Sequence, residues 1–250
     1  TMKQNQLKME ILHELPANPR VLFMRDEGAG DIIMSVPTVK EFRRQFPNTH
    51  ISYATRPIYF EILNGIDAID EIVNIFEIPF DNTCSYDLVV NWCRAVEDYS
   101  VERNRQHRID SFAKQIGIEL KEHDIEVNVS VENELNIMPH IISRLKKNEK
   151  LISVVLSSAA CDRTWPLYHT DKFIMEMKKQ NNLKIALIDI SDCVYSHWKN
   201  DSQIIDLCGK TKTFMDAVSV IRHSDLVVSP DTGLAHAAAA LNIPTLVLCG

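Results

Sequence analysis

The residues best suited to chemistry stand in a few short blocks. The densest is Ser229-Pro230-Asp231-Thr232-Gly233-Leu234-Ala235-His236, which follows the apolar stretch Leu226 to Val228 and opens an alanine-rich segment. A strand that turns into a helix leaves backbone amides open at the helix start, where the dipole favours negative charge. Asp231, Thr232 and Gly233 add a carboxylate, a hydroxyl and an unhindered backbone to that start, and His236 falls within the first turn. Taken singly, these residues read as a cap and a packed histidine. Together at one strand end they read as a cradle for a diphosphate.

The second block, Arg25-Asp26-Glu27-Gly28-Ala29-Gly30-Asp31, follows the apolar run that begins at Arg20. Asp31 opens a helical pattern. A carboxylate there either caps free amides or serves as a general base, and the turn at Gly28 and Gly30 lets a substrate approach it. The loop is not a dinucleotide fingerprint: counted from Gly28, the last position of G-x-G-x-x-G is Ile33. A third block, Ser157 to Pro166, offers hydroxyls and the cation Arg163, which reads either as a partner for a leaving diphosphate or as a surface arginine paired with Asp162. Asp206-Leu207-Cys208-Gly209-Lys210-Thr211 is a weaker strand-end loop, in which Lys210 and Thr211 shape the turn.

Other chemistries have no matching pattern. The sequence lacks H-E-x-x-H, paired metal-ligand histidines, G-x-S-x-G, the phosphate-binding G-x-x-x-x-G-K-[ST], and any D-x-D. No metal site and no cofactor are therefore expected, and a diphosphate would be stabilised by helix dipole and cations.

These loops need a scaffold. Short apolar runs without alternation suit strands buried on both faces. They alternate with helical patterns along the whole chain, which implies parallel sheets covered by helices. Expected strands lie at 20–25, 50–54, 71–76, 86–91 and 125–131, then 151–156, 183–188, 204–207, 226–228 and 245–248. Expected helices lie at 31–46, 57–63, 101–116, 171–179, 213–223 and 232–241. The expected organisation is an extension over 1–19, a Rossmann-like domain over 20–131, a linker helix over 132–150, and a second Rossmann-like domain over 151–250. Ligand is expected in the cleft between the carboxyl ends of their strands.

The whole-chain arithmetic agrees. The chain has 250 residues, 27 Lys plus Arg and 34 Asp plus Glu, a net charge of −7, and 45% hydrophobic residues. That is ample apolar material for a folded core and a poor balance for nucleic-acid binding. No apolar run approaches the roughly 20 residues that span a bilayer. The six cysteines show no C-x-x-C and read as reduced thiols in a cytoplasmic protein.

The blocks also carry a resemblance. Arg25 to Pro37 (RDEGAGDIIMSVP), Arg163-Thr164-Trp165-Pro166, and Asp231 to His236 continuing to Pro244-Thr245 resemble, in order, three segments of glycosyltransferase family 9, the ADP-heptose:lipopolysaccharide heptosyltransferase family. The resemblance implies a GT-B fold of two facing Rossmann-like domains, with acceptor on the first and nucleotide-sugar donor on the second. It implies inverting transfer without a required metal, with a nucleotide-diphosphate sugar as co-substrate. The acceptor would be a glycan or lipopolysaccharide, and contact with a membrane would be peripheral. By position, Asp31 matches the catalytic base, Arg163 a basic donor-phosphate contact, and Asp231, Thr232, Gly233 and His236 the donor turn. An acidic donor contact falls to Asp189 or Asp192. Glu27 departs from the family's turn by adding a negative charge. The sequence ends at Gly250, where the family begins a loop around the donor, so the second domain is expected to be incomplete. The alternatives are an inactive nucleotide-sugar-binding or scaffold protein, and a nucleotide-sugar epimerase, on the same fold.

Overall fold

A computed structural model describes residue 12 and residues 14–78, 85–96, 106–192 and 196–249. Cys84, Cys193, Gly250 and the start of the helix expected from Val101 lie outside them. The chain forms two compact units, Thr1–Asn128 and Val129–Gly250.

The first unit is built from β1 (Arg20–Met24), α1 (Ala29–Gln45), β2 (His50–Thr55), a 3-10 turn at Pro57–Tyr59 that runs into the single-turn α2 (Phe60–Leu63), β3 (Glu71–Asn74), β4 (Leu88–Asn91) and α3 (Arg108–Gln115). Its strands are all parallel, in the order β3-β2-β1-β4. Val21, Leu22 and Phe23 of β1 are fully buried, as a central parallel strand requires. Helix α1 buries Ile32, Ile33, Val36, Val39 and Phe42 against the sheet. An aromatic cluster fills the adjoining space: Phe23 meets Phe42 edge-on at 5.4 Å, Trp92 lies 4.8 Å from Phe23, and Phe112 of α3 sits 5.3 Å from Trp92.

The strand expected at 125–131 is absent. Residues 122–130 carry neither helix nor strand, although Val127 is buried. Side chains tie the segment down in place of a ladder: Lys40 pairs with Glu126 at 2.8 Å, and Asn128 Nδ2 donates to Gly65 O at 2.9 Å.

The second unit runs α4 (Val131–Ile142), β5 (Lys150–Val155), a 3-10 turn at Cys161–Arg163, α5 (Leu167–Met177), β6 (Leu183–Ile188), β7 (Ile204–Asp206), α6 (Phe214–Arg222), β8 (Leu226–Pro230), α7 (Gly233–Ala240) and β9 (Thr245–Leu248). Its strands are again all parallel, in the order β7-β6-β5-β8-β9. Helix α4 packs into this unit's core, with Ile137 and Ile141 against Val220 and Ile221 of α6. The buried Asp216 bolts the two helices together. Its Oδ1 accepts from Asn133 (3.1 Å) and Asn136 (3.2 Å), and its Oδ2 from the backbone of Lys212 (3.0 Å) and Thr213 (3.2 Å). Both helices start with reciprocal capping boxes, Ser130/Asn133 and Thr213/Asp216.

One local device recurs in both sheets. An aspartate immediately before a strand exchanges two hydrogen bonds with the first residues of the neighbouring strand. Asp70, ahead of β3, accepts from Ile51 N at 2.7 Å and donates its own N–H to Ile51 O at 2.9 Å. Asp87, ahead of β4, does the same with Arg20 at 2.7 and 2.8 Å, and Asp225, ahead of β8, with Leu151 at 2.9 and 2.8 Å. Each fixes the register of a parallel pair at its entrance, where no hairpin can do so.

Candidate functional site

The loop after β1 leads into the first turn of α1, which carries Asp31. Helix α1 starts at Ala29, two residues before Asp31, and no side chain caps it. Asp31 is therefore not a cap. Its Oδ2 accepts from Arg25 Nη2 at 2.7 Å, and its Oδ1 lies 3.4 Å from Arg108 Nη1. Arg25 is 2% exposed. Two further donors go to main-chain carbonyls, Nη1 to Trp92 O at 2.9 Å and Nε to Glu27 O at 2.7 Å.

Gly28 is the tightest point of this loop. Its φ of 83° suits glycine, and a Cβ built there would meet Asp31 Oδ2 at 2.7 Å. Gly30 is buried in the first turn of α1. The extra charge of Glu27 is answered by Arg56, which pairs with it and lies 5.6 Å over the Phe76 ring. Below the loop, burial pushes the Tyr53 hydroxyl far above its ordinary value, and it hydrogen-bonds Ser35 at 2.7 Å. Burial, then the neighbouring Asp26 carboxylate, pushes the Cys93 thiol up to about 11, so it is protonated and unreactive at neutral pH.

In the second unit the block after β8 opens α7. Thr232 holds the N-cap position, but its hydroxyl meets Ser229 Oγ at 3.1 Å and no side chain caps the helix. The first-turn amides thus face the loop without a side-chain acceptor, as an anion site requires. Arg163 does not pair with Asp162. Its Nη1 reaches Asp231 O at 3.0 Å and Asp231 Oδ2 at 3.3 Å, and the side chain stays 42% exposed. His236 Nε2 is 3.8 Å from Asp231 Oδ1. The structure therefore brings Arg163, Asp231, Thr232, Gly233 and His236 together at one end of the β5/β8 pair.

Of the two acidic candidates after β6, Asp189 is buried. Its Oδ1 accepts from the N–H and hydroxyl of Ser191 at 2.9 and 3.0 Å, while its buried Oδ2 has no hydrogen-bond partner. Asp192 is at the surface and pairs with Lys199 at 2.9 Å. Lys210 folds back onto Asp206 O at 2.6 Å and serves the turn.

Sequence spacing did not anticipate three features. Arg25 and Arg108 both reach Asp31, and the only hint of Arg25 was a charge closing an apolar run. His107, Asp110 and His123 also cluster, with His123 Nε2 at 2.6 Å from Asp110 Oδ1. The two imidazoles stack at 4.5 Å with planes 11° apart, so their in-plane lone pairs do not converge on one point.

The two all-parallel α/β sheets match the fold of GT-B glycosyltransferases. The chain belongs to glycosyltransferase family 9 (heptosyltransferase), whose family model matches residues 86–250, and it is a glycosyltransferase. That match holds the Arg163 and Asp231–His236 loops; Asp31 precedes it. A family 9 glycosyltransferase from Veillonella parvula is similar in structure, with 15% identity and a TM-score of 0.70 over 92% of this chain and 80% of that one. Escherichia coli heptosyltransferase WaaC with ADP is 15% identical, with a TM-score of 0.63 over 91% of this chain and 86% of that one. The E. coli ADP-heptose LPS heptosyltransferase II gives 15% and 0.65 over 91% and 84%. No curated protein sequence matches the chain. Among the described residues, no helix is long and apolar enough to cross a membrane.

Proposed function

We propose that the protein is an inverting, metal-independent glycosyltransferase. It moves a heptose or similar sugar from a nucleotide-diphosphate donor to a glycan or lipopolysaccharide-type acceptor, and it works in the cytoplasm. The observation that carries this reading is that the first unit carries a strand-end loop built around a carboxylate, and the second carries one built around a cation and a helix start. Asp31 takes the acceptor hydroxyl's proton as the oxygen attacks the anomeric carbon. The bond from that carbon to the donor phosphate breaks as the new glycosidic bond forms, and the nucleoside diphosphate leaves with the electron pair.

Arg163 and the first-turn amides of α7 stabilise the leaving diphosphate. Asp231 holds Arg163 until the donor arrives. His236 and Thr232 line the same turn, and Asp189, with its spare buried oxygen, is the better acidic donor contact. Gly28 leaves the Asp31 carboxylate the room that a side chain there would take, and Gly30 lies in the same first turn of α1. Metal independence is supported by the missing D-x-D and by the cation that takes its place.

The heptosyltransferases named above bind ADP or act with ADP-heptose, so ADP-heptose heads the donor screen. Thermal shift against a panel of nucleotide sugars identifies the donor, and product release with EDTA present tests metal independence. Asp31→Asn is expected to lower transfer by about 10²–10⁴-fold while leaving donor binding intact. Undiminished transfer would remove Asp31 as the base.

A further inference from the structure

We propose that Arg25 is the positioning residue of Asp31, an inference that rests on reading Asp31 as the base. Two guanidinium groups touch this carboxylate, and they differ in kind. Arg108 lies at 3.4 Å from Oδ1 and is 41% exposed. Arg25 lies at 2.7 Å from Oδ2 and is buried. A guanidinium is a flat fork whose N–H directions are fixed relative to one another. In Arg25 that fork is seated on Trp92 O, just past β4, and on Glu27 O, in the loop after β1. The third direction is thereby fixed, and Asp31 Oδ2 sits on it.

Asp31 belongs to the first turn of α1, whereas the seat belongs to the ends of β1 and β4. Arg25 therefore transfers the position of the sheet to the carboxylate on the helix. It also commits Oδ2 to a buried donor, while Oδ1 faces the exposed Arg108. Because the seat is two carbonyls met by a rigid fork, a lysine ammonium on a flexible stem cannot reproduce it.

The test compares Arg25→Gln, Arg25→Lys and Arg25→Gln/Asp31→Asn with the parent, each first checked for folding by thermal unfolding. The double variant removes both charges, so it tolerates burial if the single variant does not. Carboxyl carbon NMR needs no substrate: the Asp31 signal is the one lost in Asp31→Asn. In Arg25→Gln that signal is expected to titrate at higher pH than in the parent, because a carboxylate that loses an adjacent cation gives up its charge more readily.

ADP release from ADP-heptose with lipopolysaccharide core is expected to show kcat down by about 100-fold with the donor KM unchanged, only partly restored in Arg25→Lys. In the Asp31→Asn background, Arg25→Gln should cost no further turnover. An unmoved Asp31 titration in folded Arg25→Gln overturns the proposal, as does full activity in Arg25→Lys. If the titration moves but Asp31→Asn still transfers sugar, the base assignment fails while the hold of Arg25 on Asp31 stands.

Discussion

The two units solve one geometric problem in two ways. Both sheets share an order, β3-β2-β1-β4 in the first and β7-β6-β5-β8 plus β9 in the second. In each, the order reverses beside the strand that starts the series, the place where open α/β sheets bind ligands. In each, an arginine from the loop after that strand reaches a main-chain carbonyl beyond the strand across the reversal: Arg25 to Trp92 O, and Arg163 to Asp231 O. The difference is burial. Arg25 is sealed in and fixed, whereas Arg163 is nearly half exposed and held by an exposed carboxylate. A buried guanidinium serves geometry, because releasing it would strand a charge. An exposed one is available to a phosphate, because its pairing is weak and exchangeable.

The contrast can be broken at several points. Gly28→Ala drives a methyl into the Asp31 carboxylate and should lower turnover by about 100-fold with nucleotide binding retained, as read by steady-state kinetics beside calorimetry. Arg163→Ala in the second unit should do the reverse. It should weaken nucleoside-diphosphate binding by about 10–100-fold, the worth of a charged hydrogen bond, and leave the melting temperature unchanged. A fall in melting temperature matching that of Arg25→Gln would erase the distinction between the two arginines.

Smaller effects test what the units have in common. The Asp225 carboxyl is held below its ordinary range by Lys150 and by the N–H of Leu151. For Asp70, burial acts upward, but the Ile51 N–H and Arg43 outweigh it and the net shift is downward. A carboxyl depressed in the folded state stabilises fully above its unfolded value, near 3.9, and that contribution is lost as pH falls through the folded value. Asp70→Asn and Asp225→Asn should therefore cost only a few tenths of a kcal/mol at neutral pH and flatten the acid limb of unfolding below about pH 4. Urea titrations at several pH values would show an unchanged acid limb if the motif carries no charge-dependent stability. Last, Cys93 should react with a thiol reagent far more slowly at pH 8 than at pH 11, its protonation setting the rate.

Much of this was legible in the chain. The buried strands announced themselves as apolar runs, and the turn into the alanine-rich α7 was visible as a polar block between two apolar ones. The expected strand at 125–131 failed because apolar residues report burial and not pairing: Val127 is buried, but the Glu126 and Asn128 side chains tie the segment to Lys40 and to Gly65 O. The helix expected at 171–179 begins at Leu167, because Pro166 is well placed just ahead of a first turn. Arg25 was hidden for a different reason. The partners that give it its role, Asp31 and Trp92, lie 6 and 67 residues away, so local periodicity carries no trace of them.

The seat of Arg25 has a consequence for how this loop can change over generations. Two of its anchors are peptide carbonyls, which every amino acid supplies. Position 27 is thus free to drift, and the glutamate there can be exchanged without unseating the guanidinium. Residues 25 and 31 are bound to each other by side chains and must change together. A lineage that lost one would be expected to lose the other, leaving a matched pair of substitutions six residues apart.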